Sequence, residues 1–271
     1  MGNFQPVEWL KACAAAFQFL TRIPVRLQLD YDEALFRRSA VFYPLVGAVI
    51  GLLLLIAAKL LGAALPPAAS AVLLVGGWLA VTGGLHMDGL MDTADGLLSH
   101  RSRERMLEIM KDSRVGAMGV MGGGWMLLLK AALLYSLLAD SVHPEALDYL
   151  AIVPIWSRLF LVYAIAGWPY AREGEGLGRL FAAVSTREAA LATILAVVLT
   201  LALFNPLQMG VGTALLHLLT TAALTAIIGI LAARWMAAKL GGLTGDTYGA
   251  LNELLEAALL LGAVAWGFYM Q

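Results

Sequence analysis

The residues best able to do chemistry are concentrated in Gly83-Gly84-Leu85-His86-Met87-Asp88-Gly89-Leu90-Met91-Asp92-Thr93-Ala94-Asp95-Gly96. Asp88, Asp92 and Asp95 stand at i, i+4 and i+7, which on a helix places them in one stripe roughly 60° wide. Leu85, Met87, Leu90, Met91 and Leu97 cover much of the remaining surface, so the pattern predicts an apolar helix with a single acidic seam. Carboxylates ~6 Å apart at an effective dielectric of ~20 repel by ~3 kcal/mol per pair. No Lys or Arg lies within 85–100 to neutralise them. A divalent cation would remove the repulsion, and oxygen donors without sulfur suit Mg²⁺ or Mn²⁺. Mg²⁺ is usually held by a few carboxylates together with substrate phosphates. The same trio also suits an ion- or proton-transport site, or an acidic edge paired with arginines from elsewhere in the chain. His86 is either a substrate contact or a histidine at a helix interface.

Two further groups carry compatible chemistry. Met110-Lys111-Asp112-Ser113-Arg114-Val115-Gly116-Ala117-Met118-Gly119 sets Lys111 and Arg114 to clamp a phosphate and Asp112 to join a metal. A plain basic anchor at a membrane edge is the other reading of those cations. Gly241-Gly242-Leu243-Thr244-Gly245-Asp246 is a polar turn able to present backbone N–H groups to phosphate. It leads into an apolar helix bearing Asn252, Glu253 and Glu256, with the two glutamates i, i+3 on one face. Acids at a helix start also suit its dipole. A shared two-metal site between this cluster and the aspartate seam is one expectation.

The elements that hold these groups follow from composition. Of 271 residues, 61% are hydrophobic and 14% charged, against roughly 45–50% and 25% in soluble domains. A soluble globule cannot hide that much apolar surface, and disorder requires the opposite balance. The net charge of −1 supplies no basic field for nucleic acid. The lone Cys13 excludes a disulfide framework. An all-α, polytopic membrane bundle is expected, as a single membrane-embedded catalytic domain over 1–271. A bilayer core needs ~20 apolar residues per helix. About seven stretches qualify: 40–64, 67–86, 115–139, 147–169, 189–205, 207–233 and 251–270. Asn205-Pro206 is the expected turn inside the 45 residues from Ala189 to Ala233 that lack Asp, Glu, Lys and Arg. Residues 9–20 are too short to span and are expected as an interfacial helix.

Lys and Arg alternate between the two ends of these spans. Lys11, Arg22, Arg26, Arg37 and Arg38 precede the first. Arg101, Arg103, Arg105, Lys111 and Arg114 lie between the second and third, Arg172, Arg179 and Arg187 between the fourth and fifth, and Arg234 and Lys239 before the last. The positive-inside rule then puts the N-terminus, the segment 1–39 and the Asp-rich loop 86–114 in the cytoplasm. Within spans, Lys59 and Lys130 are expected to snorkel to an interface, and Arg158 is expected to find an acidic partner in the bundle. Gly47-x-x-x-Gly51 and Gly119-x-x-x-Gly123 are expected to permit close packing within the chain.

The residues alone therefore indicate a Mg²⁺-dependent membrane enzyme acting on a phosphorylated substrate at the cytoplasmic face. Carboxylates beside Lys and Arg suit phosphoryl transfer from a diphosphate to an alcohol, with a free carboxylate taking the hydroxyl proton.

The ordered set of Phe19-Leu20-Thr21-Arg22-Ile23-Pro24, Phe42-Tyr43-Pro44-Leu45-Val46-Gly47, the His86-to-Gly96 block, Met110-Lys111-Asp112-Ser113-Arg114-Val115-Gly116 and Gly241 to Glu253 closely resembles the adenosylcobinamide-GDP ribazoletransferase (cobalamin 5'-phosphate synthase) family, essentially end to end. The resemblance implies that the ribose 3'-hydroxyl of α-ribazole, or of its 5'-phosphate, attacks the cobinamide-side phosphate of adenosylcobinamide-GDP. GMP leaves, and adenosylcobalamin or its 5'-phosphate forms, at the late, nucleotide-loop stage of cobalamin biosynthesis. It also implies Mg²⁺ as cofactor and a multi-pass location in the cell inner membrane. Carried onto this chain, Asp88, Asp92 and Asp95 would hold Mg²⁺, one of them serving as base, with His86 contacting substrate or orienting an aspartate. Asp112, Asp246 and Glu253 would complete the metal shell. Arg22, Lys111, Arg114 and Asn252 would bind substrate or phosphate. The expected partners are the two substrates and the lipid bilayer, with a homo-oligomer or a complex with other nucleotide-loop assembly enzymes left open.

Two other classes compete. A CDP-alcohol phosphotransferase runs similar chemistry, but its Asp-Gly is followed by an Ala-Arg pair, whereas Leu90-Met91-Asp92 follows here. An ion-coupled transporter would favour repeats and acids near mid-bilayer, whereas these acids cluster at the expected rim.

Overall fold

The computed structural model describes residues 6–140, 144–172, 184–204 and 210–269. The expected Asn205-Pro206 turn and Arg179 lie outside them. Short α1 (Pro6–Leu20) and α2 (Glu33–Ala40) precede α3 (Tyr43–Ala64), α4 (Pro67–Thr82), α5 (Leu85–Leu97), α6 (Arg103–Ile109) and α7 (Ala117–Ala139). A 3₁₀ turn over Pro144–Asp148 leads into α8 (Tyr149–Gly167), followed by α9 (Thr186–Phe204), α10 (Val211–Leu240) and α11 (Gly245–Tyr269). Among the described residues, six helices are long and apolar enough to cross a membrane, and the pair α4–α5 brings the number to as many as seven. The protein is thus an all-α, multi-pass membrane bundle.

The α4–α5 pair departs from the expected layout. The second span is expected to run to residue 86, with the acidic seam on a helix where that span meets the segment 86–114. Instead α4 stops at Thr82, and α5 leaves it at 94° as a helix of its own. The cause is local. Gly83 (φ 66°) and Gly84 (φ 70°) are consecutive left-handed residues, which no right-handed helix can run through and which side-chain-bearing residues adopt only with strain. The aspartate seam therefore lies across the end of α4 rather than along its continuation.

The enclosed element is α8. It packs on α3, α9, α10 and α11, and the Gly47 and Gly51 positions of α3 touch its backbone at Pro154 and Ala151. Gly119 and Gly123 of α7 meet Asp95 and Met91 of α5. Both small-residue pairs thus serve packing within the chain, as expected. α1 sets Ala12 and Ala15 against Leu35 of α2 and leaves Val7 and Leu10 exposed.

The long polar connections meet at one end of the bundle. Arg22 N–H bonds the Val81 carbonyl at 2.7 Å, and Arg37 lies 3.7 Å from Glu188. Arg103 Nε donates to the Leu240 carbonyl at 2.6 Å, satisfying the C-terminus of α10, and Nη2 reaches the Ala171 carbonyl at 3.1 Å. A bridge-like pair of bonds, Ala171 N–H to Leu243 C=O and Leu243 N–H to Pro169 C=O (both 2.8 Å), ties the end of α8 to the start of α11. The opposite end holds the exposed Lys59–Asp148 pair at 3.1 Å.

Candidate active site

α5 and α11 lie in main-chain contact. A Cβ at Gly89 would stand 2.7 Å from the Asp246 carbonyl oxygen, and one at Gly249 would stand 2.9 Å from that of His86. Only glycine at both positions allows this approach. It brings the Asp246 carboxylate of α11 to the aspartate seam of α5. Among the described residues, the charges acting most strongly on half-buried Asp92 are those of Asp88, Asp246 and Asp95, with Arg172 opposing them. Arg172 Nη2 donates to Asp246 Oδ2 at 2.8 Å, while its buried Nε has no partner among the described residues. Among the described residues, Asp88 and Asp92 have no salt-bridge partner.

The remaining expected metal ligands lie apart from this group. Asp95 accepts from the Gly116 N–H at 2.6 Å and the Gly119 N–H at 2.8 Å. It thereby caps the N-terminus of α7, where its charge also complements the dipole. Asp112 is exposed and held by the Arg114 side chain at 2.7 and 3.0 Å. Those bonds keep its carboxyl down at about 2. Asp112, Arg114 and Asp95 share a polar cleft of about 630 Å³ with Arg105. Lys111 and Arg172 line a neighbouring cleft of about 540 Å³. Exposed Arg22 packs over Gly83 at the α4–α5 corner.

Glu253 and Asn252 belong to a second, buried group. Lys130 Nζ donates to Glu253 at 2.6 Å and to Glu256, and lies 4.4 Å from the Trp78 ring centroid. Glu256 also accepts from Arg158 and, at 3.1 Å, from Asn252 Nδ2. Two cations thus balance two carboxylates. Arg158 has its expected acidic partner. Lys130, by contrast, does not snorkel: it is 3% exposed and turned inward, because two buried glutamates need its charge more than water does. Glu253 is consequently engaged by an ammonium rather than standing with the aspartates.

His86 joins the two groups. It is 3% exposed, its Nδ1 lies 3.4 Å from Arg158 Nη2, and it lines a cavity of about 170 Å³ together with Asp88 and Asp246. Sequence reasoning passed over Arg172 and Lys130 as site residues. Arg172 looked like one more basic residue at a membrane edge, and no signal in the sequence pairs it with Asp246. Lys130 could have been suspected, since Glu253 and Glu256 are an i, i+3 acidic pair inside a span and need a counter-ion.

Among the described residues, no three His, Cys, Asp or Glu side chains are gathered into a ready-made metal site. The donor set at Asp88, Asp92 and Asp246 nevertheless fits a hard divalent ion in kind: carboxylate oxygens only, with excess negative charge. Mg²⁺ sites of that sort are completed by substrate phosphate and water.

The fold defines a multi-pass membrane protein with a carboxylate-lined polar end. The chain matches the cobalamin-5-phosphate synthase family over residues 12–264, and it belongs to that family. Similar proteins include the adenosylcobinamide-GDP ribazoletransferases of Brevibacillus brevis (39% identity over 93% of this chain and 97% of that one), Acetivibrio thermocellus (36%, 94% and 98%) and Desulfitobacterium hafniense (42%, 92% and 94%). No solved structure matches the chain significantly. The family match sets aside the CDP-alcohol phosphotransferase and transporter classes.

Proposed function

We infer that the chain transfers the adenosylcobinamide-phosphate group of adenosylcobinamide-GDP to the ribose hydroxyl of α-ribazole or its 5'-phosphate, late in cobalamin biosynthesis. The observation that carries the mechanism is the approach of Asp246 to Asp88 and Asp92, with the Arg172 cation beside them. The ribose 3'-oxygen forms a bond to the cobinamide-side phosphorus. The bond from that phosphorus to the bridging oxygen breaks, and GMP departs with the oxygen. Asp88, Asp92 and Asp246 would hold Mg²⁺, which when bound lowers the charge on the diphosphate and on the leaving phosphate. A carboxylate not engaged by metal takes the hydroxyl proton. Arg172, whose Nε–H has no partner among the described residues, and Lys111 in the adjoining cleft hold phosphate oxygens. Arg22 and Arg114 lie near enough to the α5 rim to serve the large donor's outer charges.

The bundle sits in the inner membrane with this end toward the cytoplasm, where GDP-activated substrates are made. The distribution of Lys and Arg supports that orientation. The test is to incubate protein in lipid nanodiscs with adenosylcobinamide-GDP, α-ribazole and Mg²⁺. Equimolar cobalamin and GMP are expected, and folded protein that yields neither would refute the assignment.

A further inference from the structure

Arg103, the first residue of α6, joins the two segments that carry Arg172 and Asp246. Its Nε donates to the carbonyl of Leu240, where α10 ends, and its Nη2 to the carbonyl of Ala171, the residue before Arg172. Between these two points runs a short parallel pairing, Ala171 N–H to Leu243 C=O and Leu243 N–H to Pro169 C=O. The approach is tight, since a Cβ at Gly242 would stand 2.4 Å from the Pro169 carbonyl oxygen. The Gly241-to-Asp246 turn is expected from sequence to present its N–H groups to phosphate. Those of Gly241, Leu243 and Thr244 are instead taken by the Ala237 carbonyl, the Pro169 carbonyl and Thr247 Oγ1. At the end of the turn, Asp246 Oδ2 accepts from Arg172 Nη2 at 2.8 Å and from Thr244 Oγ1 at 3.4 Å. Donors from both joined segments therefore fix the carboxylate.

We propose that Arg103 is a positioning residue for the transfer: by setting the register between 169–172 and 240–246, it fixes Arg172 and Asp246 against the aspartates of α5. The proposal rests on the transferase function inferred above. A guanidinium presents its N–H groups in a rigid fork, which spans the Leu240 and Ala171 carbonyls at once. An ammonium is a point donor and cannot hold both carbonyls in the same geometry. Two other roles make different demands. A basic anchor at the membrane edge needs only the charge. A phosphate contact is open to Arg103, because it lines the cleft of Lys111 and Arg172. Its Nε and Nη2, however, are already directed at main-chain carbonyls, and its Nη1 lies 3.8 Å from Glu104.

Hydrogen exchange of the nanodisc-embedded protein, with neither substrate nor metal, reads the clasp itself. In Arg103→Ala and Arg103→Lys the amides of Ala171 and Leu243 should exchange at least about tenfold faster than in wild type, with those of α3 and α7 unchanged. Wild-type protection in either variant would overturn the proposal, the second because charge alone would then suffice. A matching rise throughout the bundle would mark a loss of global stability and overturn it too. In steady-state assays both variants should lower kcat at least about tenfold at saturating donor and acceptor, because misplaced groups are felt in the chemical step. A raised donor KM with kcat unchanged would make Arg103 a phosphate contact instead. Gly242→Ala forces the same two segments apart while leaving the Arg103 side chain in place, and should lower kcat by a similar factor. Wild-type kcat in that variant would show that the register is not what matters. Amide protection lost in Arg103→Ala, in a protein whose wild type forms no cobalamin, would uphold the clasp while refuting the inferred reaction.

Discussion

Gly89 lies against the main chain of Asp246, so close that a methyl group on its Cα would stand 2.7 Å from the Asp246 carbonyl oxygen. This contact, rather than any hydrogen bond between side chains, sets the spacing between the α5 aspartates and the carboxylate of α11. Gly89→Ala should push the two helices apart. We expect a loss of about a hundredfold in turnover, since displacements near 1 Å at a reacting centre have that effect. The overpacking should also destabilise the protein by about 1–3 kcal/mol. Turnover and thermal inactivation of the reconstituted variant check both. Wild-type turnover would show that the spacing is not critical.

The aspartates should separate by function. Asp92→Asn and Asp246→Asn should abolish turnover without impairing membrane insertion. Asp112→Asn should retain most activity, because Asp112 is exposed and bonds Arg114. Its carboxyl is held down at about 2. A group depressed in this way is fully ionised above its unfolded value, and its contribution is lost only as pH falls through about 2. The pH–rate profile of Asp112→Asn should therefore parallel wild type over about pH 5–9. A displaced profile would place Asp112 in the chemistry.

The buried ion group is expected to govern folding. Lys130→Met leaves Glu253 and Glu256 facing one cation, Arg158, and removing one partner of a buried pair typically destabilises by about 3–5 kcal/mol. Glu253→Gln should also be destabilising. The double variant Lys130→Met/Glu253→Gln restores neutrality and should recover much of the loss. Thermal inactivation in nanodiscs reads the comparison, and additive effects in the double variant would show that the two residues are not coupled.

Much of this architecture was legible in the sequence because lipid imposes it. Each span must be long, apolar and hydrogen-bonded within itself, so α3, α7, α8 and α9 fall where long apolar runs lie. The acidic seam was legible because helical period fixes which residues share a face. The corner at Gly83-Gly84 was not. Paired glycines mark flexibility, but the angle is set by what α5 packs on afterwards. Nor were the partners of the acids. Asp95 caps α7 and Glu253 meets Lys130 because of how separate helices are rotated, which no local pattern encodes. The six acids expected to share a metal shell thus stand in three different environments.

Orientation gives a simple expectation. A reporter fused after Gln271 should be active outside the cytoplasm, because an odd number of spans separates the two ends under the proposed topology. Cytoplasmic activity would contradict seven crossings.

The central claim is that Asp88, Asp92 and Asp246 together bind a divalent cation that in turn binds the donor's diphosphate. Titrating Mn²⁺ into the nanodisc-embedded protein, followed by electron paramagnetic resonance with and without adenosylcobinamide-GDP, tests it most directly. The account predicts binding that tightens when the donor is present, and that weakens at least about tenfold in Asp92→Asn and in Asp246→Asn. Mn²⁺ binding that is unchanged in both variants, or absent from wild type even with donor, would contradict it.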